Sequence, residues 1–292
     1  MSTRSGGNAG NPSGSLAVLH NVKRPDAAWN EGCGPFRLHG RYGLFIAAVF
    51  LVSSAATWAQ AGAAQPSIFS VLVKWTPLLF SGFLFNILIS VMAMAIGTVV
   101  GAALGLGQIS PNPMVRWVGY YVTQFFRNSP WLVLLFFCML LLPFQFDLGG
   151  YTVPLPDWMK ATFGLALPVM ANVSEIVRGA VNSLPSGQWE AAESLAFTRR
   201  QTLWRIILPQ CIKRMLPPWM NLYAILTMAT VLASIVGVSE VMTLTGEVLA
   251  AEGGRGDLLV PLYAMILLWF FLYCYPIARW TVVLERKYAV NT

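Results

Sequence analysis

Apolar runs close to the length of a bilayer crossing recur along this chain, at about 43–60, 82–106, 115–142, 161–181, 216–238 and 259–283. A helix of roughly 20 apolar residues crosses about 30 Å of hydrocarbon. Only 11% of the residues are charged and 56% are hydrophobic, whereas a soluble domain carries about a quarter of its residues as Asp, Glu, Lys and Arg. So few charges cannot coat a globule of this size. The expected class is therefore all-α, a polytopic membrane protein with about six transmembrane helices.

The net charge of +7 would suit a nucleic-acid partner if it formed one patch, but its distribution follows a membrane plane instead. Arg4, Lys23, Arg24, Arg37 and Arg41 outnumber Asp26 and Glu31 before the first span. Arg199, Arg200, Arg205, Lys213 and Arg214 outnumber Glu190 and Glu193 within 182–214, and Arg279, Arg286 and Lys287 outweigh Glu285 in the tail. Segment 240–257 is the reverse, with Glu240, Glu247, Glu252 and Asp257 against Arg255. Lys and Arg excess marks the cytoplasmic side. Both termini and 182–214 are expected inside, and 240–257 outside.

Residues 1–40 are rich in Gly, Ser, Asn and Pro and read as a disordered cytoplasmic arm. The segment 41–62 reads as an extra N-terminal transmembrane helix, an uncleaved anchor, followed by a linker at 61–79 with Pro66 and Pro77. Gly97 and Gly101 form a small face that admits a close neighbour. Arg127-Asn128-Ser129-Pro130 interrupts 115–142 and predicts a broken helix. The Pro-containing loop 143–160 ends near Trp158, an expected interfacial anchor. In the next span Glu175 and Arg178, three apart, are placed to pair. Segment 182–214 is too polar to span. It reads as two amphipathic helices, about 188–197 and 200–208, ending at Pro209, and serves either as a docking site or as a connector lying on the surface. Pro217 and Pro218 are expected to interrupt the fifth span, and Pro276 to kink or end the sixth.

Cys33, Cys138, Cys211 and Cys274 show no paired spacing, and His20 and His39 are isolated, so no disulfide or metal site is indicated. No Gly-rich loop ending in Gly-Lys-Ser/Thr occurs, and no nucleophile or paired carboxylate set suggests a catalytic residue.

The 182–214 segment resembles the cytoplasmic coupling loop of ABC importer permeases, whose pattern is Glu-Ala-Ala, three residues, Gly, then an apolar run to Leu-Pro. Here it reads Glu190-Ala191-Ala192-Glu193-Ser194-Leu195-Ala196, then Ile206-Ile207-Leu208-Pro209. Ala196 stands where the family has Gly, a replacement that a left-handed turn would strain. Phe126-Arg127-Asn128-Ser129-Pro130, the block Glu175 to Ala180 with Leu184-Pro185 and Gly187-Gln188, and the block Leu232 to Val238 are similar to motifs of the polar amino acid (histidine/glutamine/glutamate-aspartate) permeases. The resemblance covers about 78–286. One departure is Met228-Ala229, where that family usually has Lys-Asp. The extra N-terminal span and the Leu284-Glu285-Arg286-Lys287 ending look like the longer permease of glutamate/aspartate importers, with other polar amino acids and opines left open.

The resemblance implies a type I ABC importer transmembrane fold, a permease core at 78–286 with its coupling loop at 182–214, and a bacterial inner-membrane location. It implies a homodimeric ABC ATPase that binds ATP and Mg, a second and different permease subunit, a periplasmic solute-binding protein docking over 61–79, 143–160 and 240–257, and an amino acid substrate. This chain would hold no cofactor of its own and would be no enzyme. Glu190, Ala191, Ala192, Ala196 and Pro209 would couple to the ATPase, with Glu190 capping or pairing at a helix N-terminus. Arg127 and Pro130 would fix a broken helix near the gate. Asn86, Ser129, Asn172, Arg178, Thr227 and Thr230 are polar groups at depths where solute contact is open to them, although a structural role weighs more for each. A non-transport membrane docking subunit is the competing class.

Overall fold

The computed structural model describes residues 66–148 and 151–288, all within the unit Ser54–Thr292. Helix α1 (Ile68–Gln108) starts at Ser67, whose hydroxyl accepts from the Ser70 amide. After a short turn, α2 (Pro113–Asn128) is capped by the Asn112 side chain with Pro113 at its first position, where a missing N–H costs nothing. Helix α3 (Trp131–Leu141) follows at a bend of 105°. Strands β1 (Gln145–Leu148) and β2 (Tyr151–Pro154) pair antiparallel, with Gln145 opposite Pro154. Next come α4 (Asp157–Asn182), α5 (Gly187–Ser194) and α6 (Arg199–Thr202). A π turn (Leu203–Ile207) joins α6 to α7 (Leu208–Ala229), and a 3-10 stretch (Thr230–Val236) follows. The last two helices are α8 (Val241–Ala251) and α9 (Gly256–Tyr288).

Helix α4 is the centre of the bundle. It packs along α1 and is flanked by α2, α3 and α7. The α1–α4 seam closes because Gly97, Gly101 and Gly105 on α1 face Val169, Met170, Val173 and Val177 on α4, so close that a Cβ at Gly101 would stand 2.5 Å from the Met170 carbonyl oxygen. Ile89, Ala93, Leu165, Val169, Leu226 and Ala233 fill the core around this seam. At one end of the bundle Ile68, Val71 and Leu79 pack against Val248, Leu258 and Leu262. There Lys74 and the Trp75 indole both donate to Glu252, at 2.8 and 2.7 Å, and hold its carboxyl below the usual range. At the other end, Ala180, Val181 and Leu184 pack with Ile207 and Cys211.

Among the described residues, Ile68–Gln108, Arg199–Val236 and Gly256–Lys287 are long and apolar enough to cross a membrane, and the bent α2–α3 pair makes a fourth if it counts as one span. The fold is thus an all-α polytopic membrane bundle, and among the described residues there are one small hairpin and three to four spans, where about six spans were expected of the whole chain. The arm at 1–40 and the extra helix at 41–62 lie outside the described residues. Helix α4 occupies the expected fourth span but is less apolar than the others, because neighbours rather than lipid cover much of its surface.

Several local expectations are corrected. Most of the 61–79 linker is helix, since α1 begins at Ile68 and runs through Pro77. Loop 143–160 holds the hairpin and the first turn of α4, and Trp158 packs edge-on against Phe85 in the core instead of standing at an interface. Pro217 and Pro218 do not interrupt α7, Pro209 stands in its first turn on the helical stretch from Arg199 to Val236, and Pro276 does not end α9, which also runs through Pro261. A helix can carry proline through a membrane when neighbouring turns absorb the lost hydrogen bond. The π turn immediately before Pro209 does so by widening the helix where the ring would meet the preceding turn. The 240–257 segment is mostly helix, and Glu240 is fully buried.

Candidate functional site

Helix α5 lies outside the spans, at the end of the bundle where α1 finishes and α7 begins. It ends in a Schellman turn. The Phe197 amide donates to the Ala192 carbonyl at 3.1 Å and the Ala196 amide to the Glu193 carbonyl at 2.8 Å. That motif puts Ala196 at φ 58°, the left-handed conformation the family's Gly would take without cost. Immediately afterwards Thr198 and Gln201 form a capping box that starts α6. Glu190 and Ala191 are exposed and Ala192 is buried. Glu190 sits in the first turn of α5 but makes no side-chain cap, which corrects the capping role. Its contribution is that of a negative charge beside a helix N-terminus.

Three contacts fix this segment to the spans. Gln210 on α7 donates to Gln188 on α5 at 2.7 Å. The Arg214 guanidinium donates to the carbonyl and the hydroxyl of Ser183, each at 2.8 Å. Trp189 packs into the cluster of Leu184, Ile207 and Cys211, with the Arg199 guanidinium 5.7 Å from its ring centre. Leu195, 72% exposed beside Ala196, was not singled out from the sequence. Its signal was available, because an apolar residue inside a polar segment next to a helix end has no membrane reason to be there.

A second cluster lies where α1, α2 and α4 meet. Arg178 donates to Glu175 through Nε at 3.3 Å and Nη2 at 2.6 Å, and Arg127 reaches the same carboxylate at 3.4 Å. Gln108 donates to Ser174 at 2.8 Å, to Thr123 at 3.0 Å and to Glu175 at 3.4 Å. Arg127 thereby ties the end of α2 to α4. The broken helix there is stabilised locally: Ser129 donates to the Phe125 carbonyl and Asn128 to the Gln124 carbonyl, both at 2.7 Å, which ties the side chains at the break back onto the last turn. Pro130 then stands at the N-cap of α3.

A cavity of about 520 Å³ opens beside this cluster, lined by Arg127, Asn172, Glu175, Arg214 and Asn221 among others. Of the polar residues marked for solute contact, the structure brings only Asn172 to this cavity; Arg178 lines a different one. Ser129 is spent on the helix end. Asn86, Thr227 and Thr230 are sealed from solvent. Asn86 donates to Glu240 at 2.7 Å and to Thr230 at 3.1 Å, and accepts from the Val241 amide at 3.2 Å, while Thr227 bonds the Tyr223 carbonyl. Asn86 and Thr230 thus hold α1 to the junction before α8, while Thr227 bonds only within α7. Met228, half exposed, lines an apolar groove between α7 and α9 in place of a charged pair.

This arrangement defines a class: a polytopic membrane bundle with a polar interior cavity and a helical segment held outside its spans. Residues 97–290 match the family "Binding-protein-dependent transport system inner membrane component", and the chain belongs to that family. It is accordingly a non-catalytic permease subunit of an ABC transport system. The probable amino-acid ABC transporter permease protein YckA of Bacillus subtilis (strain 168) is 34% identical over 213 residues, 73% of this chain and 90% of that protein. The L-cystine transport system permease protein TcyB of the same organism is 29% identical over 212 residues, 72% of this chain and 86% of that protein. The glutamate/glutamine/aspartate/asparagine transport system permease protein BztC of Rhodobacter capsulatus is 29% identical over 246 residues, 84% of this chain and 55% of that protein. The fold is shared with a solved amino acid ABC transporter crystallised with histidines, at a TM-score of 0.63 and 23% identity, covering 77% of this chain and 100% of the other.

Proposed function

We propose that this chain is a permease subunit of an ATP-driven importer of polar amino acids, with glutamate and aspartate among its substrates. The observation that carries this is the cavity beside α4, where Arg127, Arg214 and Glu175 meet Asn172 and Asn221. An amino acid presents a carboxylate and an ammonium together, and a passage for it needs both signs close by, with amides between. Two arginines against one glutamate favour an anionic side chain. Relatives whose names include glutamate and aspartate support the same choice, whereas the cystine permease supports a second reading, a neutral polar amino acid.

The permease core at 78–286 works with a second, different permease, a homodimeric ATPase that binds ATP and Mg, and a periplasmic binding protein, with both termini and 182–214 on the cytoplasmic side. Glu190, Ala191 and Ala192 present α5 to the ATPase, Ala196 shapes its end, and Leu195 inserts as an apolar knob. Pro209 and the π turn pass the motion of α5 into α7. Arg127 and Pro130 set the bend at the gate. The complex reconstituted in vesicles with its ATPase and binding protein should take up labelled glutamate and aspartate on addition of internal ATP. Leu195→Asp should abolish that uptake and leave the melting temperature unchanged. Uptake of neutral amino acids alone would refute the anionic substrate, and full uptake by the Leu195 variant would refute the docking role.

A further inference from the structure

A cavity of about 760 Å³ lies between the α1–α2 turn, the end of α4 and the α5–α6 segment. Arg116, Arg178, Arg199 and Arg200 line it, and no acidic side chain among the described residues does. Arg178 is engaged by Glu175. Arg116 makes only a 3.4 Å bond to the Ser110 carbonyl, and Arg199 rests over Trp189. None of Arg116, Arg199 and Arg200 forms an ion pair with a described residue. The wall also contains Gln108, 4% exposed. Its amide nitrogen is used by Ser174, Thr123 and Glu175, while its Oε1 accepts nothing. Most of the remaining wall is aliphatic or aromatic.

These features describe one ligand chemistry: an anion for the guanidinium groups and an apolar body for the walls. Arginine forks match phosphate oxygens in pairs, which a general electrostatic attraction would not require. We propose that this cavity binds the headgroup of an anionic glycerophospholipid. Basic pockets between helices at the cytoplasmic end of a bundle are where such headgroups settle. Bound there, the lipid joins α5 and α6, through Trp189, Arg199 and Arg200, to Arg116 on the bundle. It thereby braces the segment proposed above to meet the ATPase. That consequence rests on the coupling reading, but binding itself does not.

The test uses the full chain with its co-purifying subunits, delipidated in mild detergent and examined by native mass spectrometry. The probes are phosphatidylglycerol, phosphatidylethanolamine and inorganic phosphate. The variants are Arg199→Gln with Arg200→Gln, and separately Arg116→Gln, with Arg279→Gln outside the cavity as control. The expected result is a saturable phosphatidylglycerol adduct in the native protein and the control, weakened roughly tenfold or more by the double variant. Inorganic phosphate should not displace it, and melting temperatures measured without lipid should match. Equal adducts with phosphatidylethanolamine overturn the proposal. So does undiminished binding by both folded variants, and so does displacement by inorganic phosphate, which would make this a free-anion site. Binding seen only after the ATPase is stripped away also overturns it, because the arginines would then belong to that partner. Should the double variant not fold, the Arg116 variant and the lipid comparison on the native protein still decide.

Discussion

Ala196 sits at φ 58°, and its Cβ crowds the neighbouring carbonyl in that conformation. Replacing it with Gly removes that strain and gives back part of the gain as chain entropy. Ala196→Gly should therefore stabilise the protein by roughly 0.5–1 kcal/mol, seen as a raised melting temperature in detergent. Ala196→Val should lower it, and a neutral result for both would mean that the turn relaxes. Glu240 is the opposite kind of residue, buried and fully used. Its two oxygens accept from Asn86 at 2.7 Å and from the amides of Met242 and Thr243 at 2.9 and 3.3 Å. Every neighbour is a donor, so only an acceptor on both sides fits. Glu240→Gln turns one donor against another and should cost about 1–3 kcal/mol, and Glu240→Ala at least as much. Equal melting temperatures for all three would remove Glu240 as the junction's anchor. Sequence reasoning placed this residue in an exposed acidic loop because a charge count does not distinguish a solvated carboxylate from a buried helix cap, and Glu is not among the usual capping residues. By contrast the Glu175–Arg178 pair was legible, since three-residue spacing on a helix leaves little freedom.

The helices themselves show what hydropathy measures. It detected α1, α4, α7 and α9, the expected span at 161–181 lying within Asp157–Asn182, but it did not show that α4 stands at the centre with protein for neighbours. The glycine face at Gly97 and Gly101 was legible as a place of close approach, but its partner on α4 was not, because nothing in the spacing of one helix names the helix it meets. Proline was overread. Among Pro77, Pro130, Pro209, Pro217, Pro218 and Pro276, only Pro130 marks a true break, and it is the one preceded by side chains that bond back onto the last turn. The seam gives a paired test. A Cβ at Gly101 meets the Met170 carbonyl and the Val173 side chain, and backbone cannot move aside cheaply. Gly101→Ala should cost about 1–3 kcal/mol through forced separation of α1 and α4. Gly179 on α4 has open space around it, so Gly179→Ala should stabilise by about 1 kcal/mol from helix propensity alone. Both read as shifts in melting temperature. A matching gain at Gly101 would show that the seam is looser than this packing.

At the scale of the molecule the two ends of the bundle differ in charge, and that difference predicts an orientation. One end gathers Lys74, Glu247, Glu252, Arg255 and Asp257, with acids in excess. The other gathers Arg116, Arg178, Arg199, Arg200 and Arg214 around α5. Short basic loops resist translocation across an energised membrane whereas acidic ones contribute little, so the α5 end should remain in the cytoplasm. Glu247 and Arg200 are both exposed and stand at opposite ends. The prediction is made in a chain with Cys33, Cys138, Cys211 and Cys274 all replaced; the last three are buried free thiols. Glu247→Cys should react with a membrane-impermeant maleimide in intact cells once any outer barrier is opened, and Arg200→Cys only after the inner membrane is permeabilised. Reaction of both from outside would refute the opposite placement of the two ends. The reversed pattern would put α5 where no ATPase could reach it, and the coupling reading would fail while the fold stood. The predicted pattern leaves α5 facing the compartment that holds ATP and α8 facing the one that holds a solute-binding protein, with the polar cavity along α4 between them.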